Sequence, residues 1–429
     1  MSEVLFSDNA RRHQEFLLEH PRAPRYNFTS SDLLDHRHLA EVKEFARTPH
    51  LFWREGELPE WVPGLVQRLY ARVPYYREMG DAPTNFSDIP PISRSQLAEH
   101  PELLVPDDLG LEDLTVYSTS GTTGTALKIP TDPAVSSKTL VLMEQMMSHH
   151  GARLPRGAGK VAVAALFCQE DTLTYPSLSR YLGEASTLKL NLHENSWRER
   201  TDRATFLQEL SPAVLTGCPF SLAVAAEIAP ELSPRAVFSS ATALTEGLRT
   251  RLTEAFGCPV FDVYSLTEAK FVAARGEGPG HDLLGGDLFV EILDPEGRVL
   301  PAGERGEITV TGGRNRYLPL LRYRTGDYAA LEYRGNQPYL SGLQGRSNPT
   351  LHDGRGREIP SLDVVHALKE LPLVGFSFQQ TPNHEYHLEY AGPVEPEAVT
   401  QALQNRLALN GQAVRKDSWQ GKPQQFLGL

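Results

Sequence analysis

The sequence predicts an α/β protein whose large N-terminal domain combines mostly parallel sheets with helices. From Lys160 onward, short apolar runs such as VAVAALF (residues 161–167) and AVLTG (residues 213–217) alternate with helical stretches at residues 220–228 and 245–256. This alternation is typical of a parallel sheet covered by helices. The chain of 429 residues is long enough for one large and one smaller domain.

Two further patterns complete the predicted fold class. After Gly285, the segment GDLFVEILDPEGRVL predicts a hairpin with its turn at residues 294–297, and RGEITVTG and DYAALEY continue an antiparallel β subdomain. Beyond the predicted hinge glycines Gly342 and Gly345, the sequence predicts a small, mobile α+β domain. Its elements are helices at residues 362–371 and 396–409 and two strands around residues 381–384. We therefore expect residues 1–341 to form the large ATP- and acyl-binding domain and residues 342–429 the small one.

The N-terminal part is expected to be helical. The first fifty residues or so are charged and rich in aromatic residues, which favours helices and loops. The segment WVPGLVQRLYARVPYYRE, from Trp61, has apolar residues at helical spacing and a turn at Val73 and Pro74.

Composition and charge exclude several functions. The formal net charge is −12 and no run of five like charges occurs, so we expect neither a nucleic-acid partner nor a membrane-surface partner. The apolar runs are too short to span a bilayer, and the N-terminus lacks the order of a signal peptide, so the expected location is the cytoplasm. Cys168, Cys218 and Cys258 have no CxxC spacing, and we interpret them as buried small hydrophobic residues.

A phosphate-binding segment is predicted at YSTSGTTGTALKIP, residues 117–130. Backbone N–H groups of a loop rich in Gly, Ser and Thr can converge on phosphate oxygens, and the hydroxyls add donors. A Walker A loop is excluded, because Leu127 precedes Lys128 and Ile129 follows it. Taken alone, the segment is also compatible with a flexible linker.

Two other segments carry polar groups suited to a nucleotide. In VYSLTEAK, Tyr264, Thr267 and Glu268 follow an apolar strand, where a ring could stack on a base and a carboxylate could hold Mg²⁺. A surface helix cap is the alternative. In LRYRTGDY, Asp327 follows Gly326 at an expected turn and could accept hydrogen bonds from ribose hydroxyls; a plain turn residue is the alternative.

The order of these motifs resembles the adenylate-forming superfamily of acyl-CoA ligases and related enzymes. The matching residues are SGTTG at 120–124, YxxTE at 264–268, YRTGD at 323–327 and the pair Gly345 and Arg346. The segments ARVPYYRE, FSDIPPISRSQLAEHPE and RGEITVTG…LPLLRYRTGDY are similar to the phenylacetate-CoA ligase-like branch. The resemblance runs from about Trp61 to the C-terminus and favours the phosphate cradle over the linker.

The resemblance implies a role for each matching residue. Tyr264 would stack on adenine, Thr267 would touch the α-phosphate, and Glu268 would bind Mg²⁺. Asp327 would bind the ribose hydroxyls. The β- and γ-phosphates would be held by Ser120, Gly121, Thr122, Thr123 and Gly124. Arg346 would add a contact from the hinge, and Lys422 of the terminal Gly-Lys pair would be the catalytic lysine of adenylation. Because a lone Gly-Lys pair is short and common, a solvated terminal lysine is the alternative for Lys422.

The implied reaction joins a small carboxylic acid, aryl or arylacetic by resemblance, to AMP with release of pyrophosphate. The implied cofactors are ATP, Mg²⁺ and coenzyme A, which would accept the acyl group. A carrier-protein thiol or an amine as acceptor, and a silent nucleotide-binding homologue, stay open as alternatives. A homodimer stays open as well.

Overall fold

The computed structural model describes residues 6–27, 29–48, 52–118, 127–345, 351–416 and 426–427. The chain forms two compact units. The first comprises Met1–Asp32, Met146–Asp262 and Ser347–Leu429, and the second comprises Leu33–Gln145 and Val263–Arg346. The domain boundary expected between residues 341 and 342 stays a prediction.

Helices occupy the predicted segment from Trp61 and the predicted segments at residues 220–228, 245–256, 362–371 and 396–409, together with segments that the sequence did not predict individually. The helices are α1 Asp8–Glu19, α2 His36–Arg47, α3 Trp61–Arg72, α4 Pro74–Arg77, α5 Arg94–Glu99, α6 Ala134–Ser148, α7 Asp202–Leu210, α8 Pro219–Ile228, α9 Glu246–Phe256, α10 Ser361–Leu368 and α11 Pro396–Leu407. The predicted break after α3 is confirmed: Val73 has an extended backbone, as expected before a proline, and Pro74 opens α4.

The described residues also form strands, several of which follow the short apolar runs of the sequence. They are β1 Ser30–Ser31, β2 Thr115–Ser118, β3 Lys128–Thr131, β4 Val161–Phe167, β5 Tyr175–Ser179, β6 Ala185–Asn191, β7 Val214–Gly217, β8 Ala236–Ser239, β9 Val260–Leu266, β10 Lys270–Arg275, β11 His281–Leu283, β12 Leu288–Leu293, β13 Arg305–Gly312, β14 Leu320–Arg334, β15 Gln337–Gln344, β16 Leu351–His352, β17 Glu358–Ile359, β18 Gly375–Gln380, β19 Tyr386–Ala391, β20 Gly411–Arg415 and β21 Phe426–Leu427.

The first unit contains the predicted parallel layer. Its strands have the order β1-β5-β6-β4-β7-β8, followed by residues 260–262 of β9, and neighbouring strands from β6 to β9 run parallel. All four residues of β8 are buried, as expected for a parallel strand covered on both faces. The sequence did not predict β5, which pairs antiparallel with β6, or the short β1 beside it.

The second unit contains the predicted antiparallel subdomain. Its strands have the order β10-β11-β15-β14-β13-β12, and each neighbouring pair is antiparallel. The predicted turn is confirmed by a 3.1 Å hydrogen bond from Gly297 N to Asp294 O. The returning chain makes only an isolated bridge between Leu293 and Val299, so the expected hairpin has no second strand. Strands β2 and β3 pair as a separate antiparallel ribbon.

The C-terminal residues of the first unit have a core of their own. The strand order is β20-β19-β18-β21, and α10 and α11 contribute buried leucines to the same core. Helix α10 ends at Leu368, three residues before the predicted end, and α11 ends before Ala408, whose φ of 52° is left-handed. Two hydrogen bonds tie this part to the start of α9: Thr245 Oγ1 to Leu373 O at 3.1 Å and Gly247 N to Lys369 O at 3.2 Å.

Two expectations about composition can be compared with the described residues. None of the helices described is long and apolar enough to cross a membrane. All three cysteines are free, but only Cys258 is buried; Cys168 and Cys218 are half-buried, so the interpretation as buried residues was wrong for these two. Burial raises the pKa of the Cys168 thiol to about 11 and that of Cys258 to about 12.

Candidate active site

The predicted adenine and ribose residues touch each other in the second unit. Tyr264 lies near the end of β9 and Asp327 lies in β14, 63 residues further along the chain. The Tyr264 hydroxyl donates a 2.9 Å hydrogen bond to Asp327 Oδ2, and both residues are 8% exposed. Burial of both partners removes competing water, so the contact fixes the ring and the carboxylate relative to each other.

A β-bulge places Asp327, where the sequence predicted a turn. Strand β14 continues through this position, but its pairing with β13 shifts between Glu307 and Thr309. Gly326 has a φ of 79°, which few residues other than glycine adopt readily, and its N–H donates to Glu307 Oε1 at 2.9 Å. The bulge explains how a residue inside a strand can direct its carboxylate toward a site rather than along the ladder.

Glu268 lies in the turn between β9 and β10 and is 2% exposed. Its Oε1 atom accepts a 2.7 Å hydrogen bond from the Tyr323 hydroxyl and a 2.8 Å hydrogen bond from Arg94 Nη1. Within the described part of the chain, Oε2 accepts no hydrogen bond. Mg²⁺ takes oxygen ligands and usually binds through one or two carboxylates together with substrate phosphates. Glu268 Oε2 therefore fits this ion.

Arg94 is a residue of the site that sequence reasoning missed. It opens α5, directly after the N-cap Ser93, whose capping box with Gln96 fixes the start of the helix. The preceding Ile92 makes a parallel bridge to Tyr323, so both partners of Glu268 are held by the same contact between chain segments. No local pattern indicates the pair, because 174 residues separate Arg94 from Glu268.

Lys270 is a second basic residue that sequence reasoning left without a role. It opens β10, two residues after Glu268, and its φ of 58° is unusual for a lysine. Its ammonium lies 4.9 Å from the centre of the Tyr117 ring in β2. Burial lowers the pKa of Lys270 below its ordinary value, and the charge of Glu268 acts in the opposite direction.

The structure brings part of the predicted site together. Tyr264, Glu268 and Asp327 all belong to the second unit, and the half-buried Thr267 lies in the same turn as Glu268. The expected helix-cap alternative for this turn does not apply, because the chain continues into β10. The remaining predicted residues lie outside the described part of the chain: Ser120, Gly121, Thr122, Thr123, Gly124, Arg346 and Lys422.

A protein-family model described as AMP-binding enzyme matches residues 187–315. This segment contains the whole YSLTE motif with Glu268. Structural similarity shows the fold over a larger part of the chain. A crystal structure of 2-hydroxyisobutyryl-CoA ligase in the postadenylation state superposes with a TM-score of 0.64 at 16% identity, covering 93% of this chain and 91% of that one. The fold is therefore that of the adenylate-forming enzymes.

Two named proteins show which members of this class the chain is similar to in sequence. The chain is 26% identical over 291 residues to a phenylacetate-coenzyme A ligase of Thermus thermophilus, covering 63% of this chain and 64% of the relative. It is 22% identical over 305 residues to protein CapK of Staphylococcus aureus, covering 66% and 64%. Each match thus spans a little less than two thirds of the relative. The resemblance to the adenylate-forming superfamily, and to its phenylacetate-CoA ligase-like branch, is confirmed.

Proposed function

We propose that the chain activates a carboxylic acid with ATP, forming an acyl-adenylate and pyrophosphate, and then transfers the acyl group to coenzyme A. The observation that carries the proposal is a pair of hydrogen bonds between two distant motifs. Tyr264 of YSLTE bonds to Asp327 of YRTGD at 2.9 Å, and Glu268 of the first motif accepts from Tyr323 of the second at 2.7 Å. Residues suited to adenine, ribose and a metal thus share one assembly.

Nucleotide binding follows from the chemistry of these groups. Tyr264 offers an aromatic ring to adenine, and its hydroxyl is already engaged by Asp327. An ionised carboxylate has about four acceptor positions, so Asp327 can take ribose hydroxyls as well as the tyrosine hydroxyl. The bond between the two residues orients the ring and the carboxylate before ATP arrives, which lowers the ordering cost of binding.

In the first half-reaction a carboxylate attacks a phosphate group, and both are negatively charged. Catalysis must therefore come from positioning the reactants and from compensating their charge. The carboxylate oxygen of the acid attacks the α-phosphorus of ATP, and the bond to pyrophosphate breaks. Thr267 would donate to the α-phosphate, and Lys422 would stabilise the charge near the reacting carboxylate. Mg²⁺ held by Glu268 would add positive charge beside the phosphate oxygens. No general base is needed, because the acid is ionised at neutral pH.

The second half-reaction passes the acyl group to sulfur. The thiolate of coenzyme A attacks the acyl carbonyl of the adenylate, and AMP leaves. The relatives named phenylacetate-coenzyme A ligase support coenzyme A as acceptor and an aryl or arylacetic acid as substrate. Reactants such as ATP and coenzyme A favour the cytoplasm as location. Size-exclusion chromatography would decide between a monomer and a homodimer.

A two-stage assay tests the proposal. Acid-dependent ATP–pyrophosphate exchange, measured over a panel of aryl and alkyl acids, should respond to at least one aryl or arylacetic acid. Product analysis with and without coenzyme A should then give a thioester only when coenzyme A is present. Exchange without thioester formation would favour a carrier-protein thiol or an amine as acceptor. ATP binding without exchange for any acid would leave a silent nucleotide-binding protein.

A further inference from the structure

A lysine lies beside the proposed nucleotide site, and no carboxylate of the described residues lies within ion-pair distance of its ammonium. Lys270 Nζ is 4.9 Å from the centre of the Tyr117 ring. Tyr117 belongs to β2, and the sequence continues from it to Ser120, where the segment SGTTG begins, within three residues. The ring therefore holds the ammonium next to the strand that leads into the predicted phosphate-binding segment.

The Glu268 carboxylate accepts hydrogen bonds from two other residues, and its charge acts on Lys270 from beyond ion-pair distance. Arg94 Nη1 donates to the Glu268 carboxylate at 2.8 Å, and the Tyr323 hydroxyl donates to the same oxygen. Among the described residues, no carboxylate forms an ion pair with Lys270 and no side chain accepts a hydrogen bond from its ammonium. A half-buried ammonium in this position is favoured when an anionic ligand supplies the missing acceptor.

The backbone at Lys270 adds a second observation. Its φ of 58° lies in the left-handed region, where asparagine and glycine are accommodated more easily than a lysine. A residue chosen only to fit this backbone would therefore be asparagine or glycine. A lysine in this conformation is strained, and strained backbone positions cluster at functional sites.

We propose that Lys270 binds the β- and γ-phosphates of ATP and compensates their charge while pyrophosphate leaves. The proposal rests on the proposed function, because it presumes that ATP binds beside Glu268. Arg94 and Tyr323 donate to Glu268 Oε1, which leaves Glu268 Oε2 available to a metal. Lys270 makes no ion pair with these groups, so its positive charge is available to the phosphates. A purely structural cation–π contact between Lys270 and Tyr117 is the competing explanation.

Calorimetric titrations of the full-length protein with ATP and with AMP separate the two explanations. Lys270→Gln and Lys270→Asn should weaken ATP binding by about 10- to 100-fold, as for a lost hydrogen bond to a charged group, and change AMP binding by less than about twofold. Lys270→Arg should keep ATP affinity within about fivefold of the wild type. The loss should persist when Mg²⁺ is removed with EDTA, because the lysine acts without the metal.

Lys189 provides the matched control. It lies in β6 of the first unit, its ammonium lies 4.6 Å from the centre of the Phe167 ring, and burial lowers its pKa as it does for Lys270. Lys189→Gln removes the same charge from the same kind of cation–π contact and should change ATP affinity by less than about twofold, because this lysine is not part of the proposed nucleotide site. An equal loss of ATP affinity in both glutamine variants would overturn the proposal, because it would show that only the net charge of the protein matters.

Thermal unfolding distinguishes a loss of ATP binding from a loss of stability in the Lys270 variants. Because asparagine suits the left-handed backbone, Lys270→Asn should melt at the wild-type temperature or above it while binding ATP weakly. A lower melting temperature with unchanged ATP affinity would overturn the proposal and leave the cation–π explanation. If the wild type itself binds neither ATP nor AMP, the proposed function fails, and this outcome is distinct from a failure of the role of Lys270.

Discussion

The Tyr264 hydroxyl donates a 2.9 Å hydrogen bond to Asp327 Oδ2, although 63 residues separate the two in the chain. Each residue is 8% exposed, so the bond is shielded from water. In the proposed function these residues bind adenine and ribose, and the bond couples the two contacts. A change at either residue is therefore expected to affect the orientation of the other.

Asp327→Ala should weaken ATP binding by about 1.5–3 kcal/mol, the range for hydrogen bonds to a charged group. The ribose hydroxyls lose their acceptor, and Tyr264 loses the partner that orients its ring. Isothermal titration calorimetry with ATP measures the change. Unchanged ATP affinity would show that Asp327 is only a residue of the β14 bulge.

The control for this experiment is Tyr264→Phe, which keeps the ring and removes only the hydroxyl. Stacking on adenine should survive, so the loss in ATP affinity should be smaller than for Asp327→Ala. In the double variant, the two losses should not add, because both single changes break the same hydrogen bond.

Glu268→Gln should reduce acid-dependent pyrophosphate release by about 10²–10³, as for the loss of one electrostatic partner of a reacting phosphate. The substitution keeps the size of the side chain but removes the charge that Mg²⁺ requires. Activity within a few-fold of the wild type would show that the metal assignment is wrong.

A matched control removes a different buried carboxylate from the same unit. Glu291 is 5% exposed, and its Oε2 lies 3.3 Å from Arg322 Nε. Glu291→Gln also leaves a buried arginine short of its anionic partner, so it should lower the melting temperature. At a temperature where the variant stays folded, pyrophosphate release should be close to that of the wild type, in contrast to Glu268→Gln.

The parallel layer and the C-terminal part could be predicted because their signals are local. The run at residues 161–167 is short and wholly apolar, and β4 occupies it in full. The edge strand β5, with the sequence YPSLS, carries a proline and two serines, so it lacks this signal. Its pairing with β6 depends on tertiary contacts that a local pattern does not contain.

The site could be predicted only as far as its motifs extend. Tyr264, Glu268 and Asp327 stand in recognisable segments, and the structure places them in one unit. Arg94 and Lys270 also stand in recognisable segments, FSDIPPISRSQLAEHPE and VYSLTEAK, but the motifs give them no role. Arg94 contacts Glu268, which lies 174 residues further along the chain, and Lys270 of β10 contacts Tyr117 of β2. Only these tertiary contacts show that the two residues belong near the site. The bulge at Asp327 was expected as a turn, because glycine followed by aspartate has the same local preference in both structures.

Lys422→Ala should separate the two half-reactions. An ammonium beside the reacting carboxylate stabilises charge that develops during adenylation, so its loss should cripple formation of acyl-adenylate. Conversion of chemically supplied acyl-adenylate to thioester should be spared. Single-turnover assays compare ATP plus acid in one arm with synthetic adenylate plus coenzyme A in the other. Equal losses in both arms would rule out a role of Lys422 specific to adenylation.

Gly247→Ala should weaken the contact between α9 and the C-terminal part of the first unit. A Cβ atom at Gly247 would lie 2.4 Å from Glu370 O and 2.4 Å from the carbonyl carbon of Leu371. These neighbours are backbone atoms, which cannot move aside as a flexible side chain would. The substitution should therefore displace the segment that receives the hydrogen bond from Thr245 Oγ1, at Leu373 O. We expect a lower melting temperature and faster hydrogen exchange in this segment and at the start of α9.

Gly64→Ala is the control for helix propensity. Gly64 also lies in the first turn of a helix, α3, but nothing lies within 4 Å of a Cβ atom built there. Alanine favours a helix over glycine by up to about 1 kcal/mol, so Gly64→Ala should leave the melting temperature unchanged or raise it. The same substitution at Gly247 gains the same propensity, and a lower melting temperature there must come from the close approach to residues 370–372. If both variants are as stable as the wild type, the C-terminal part does not depend on this contact with α9.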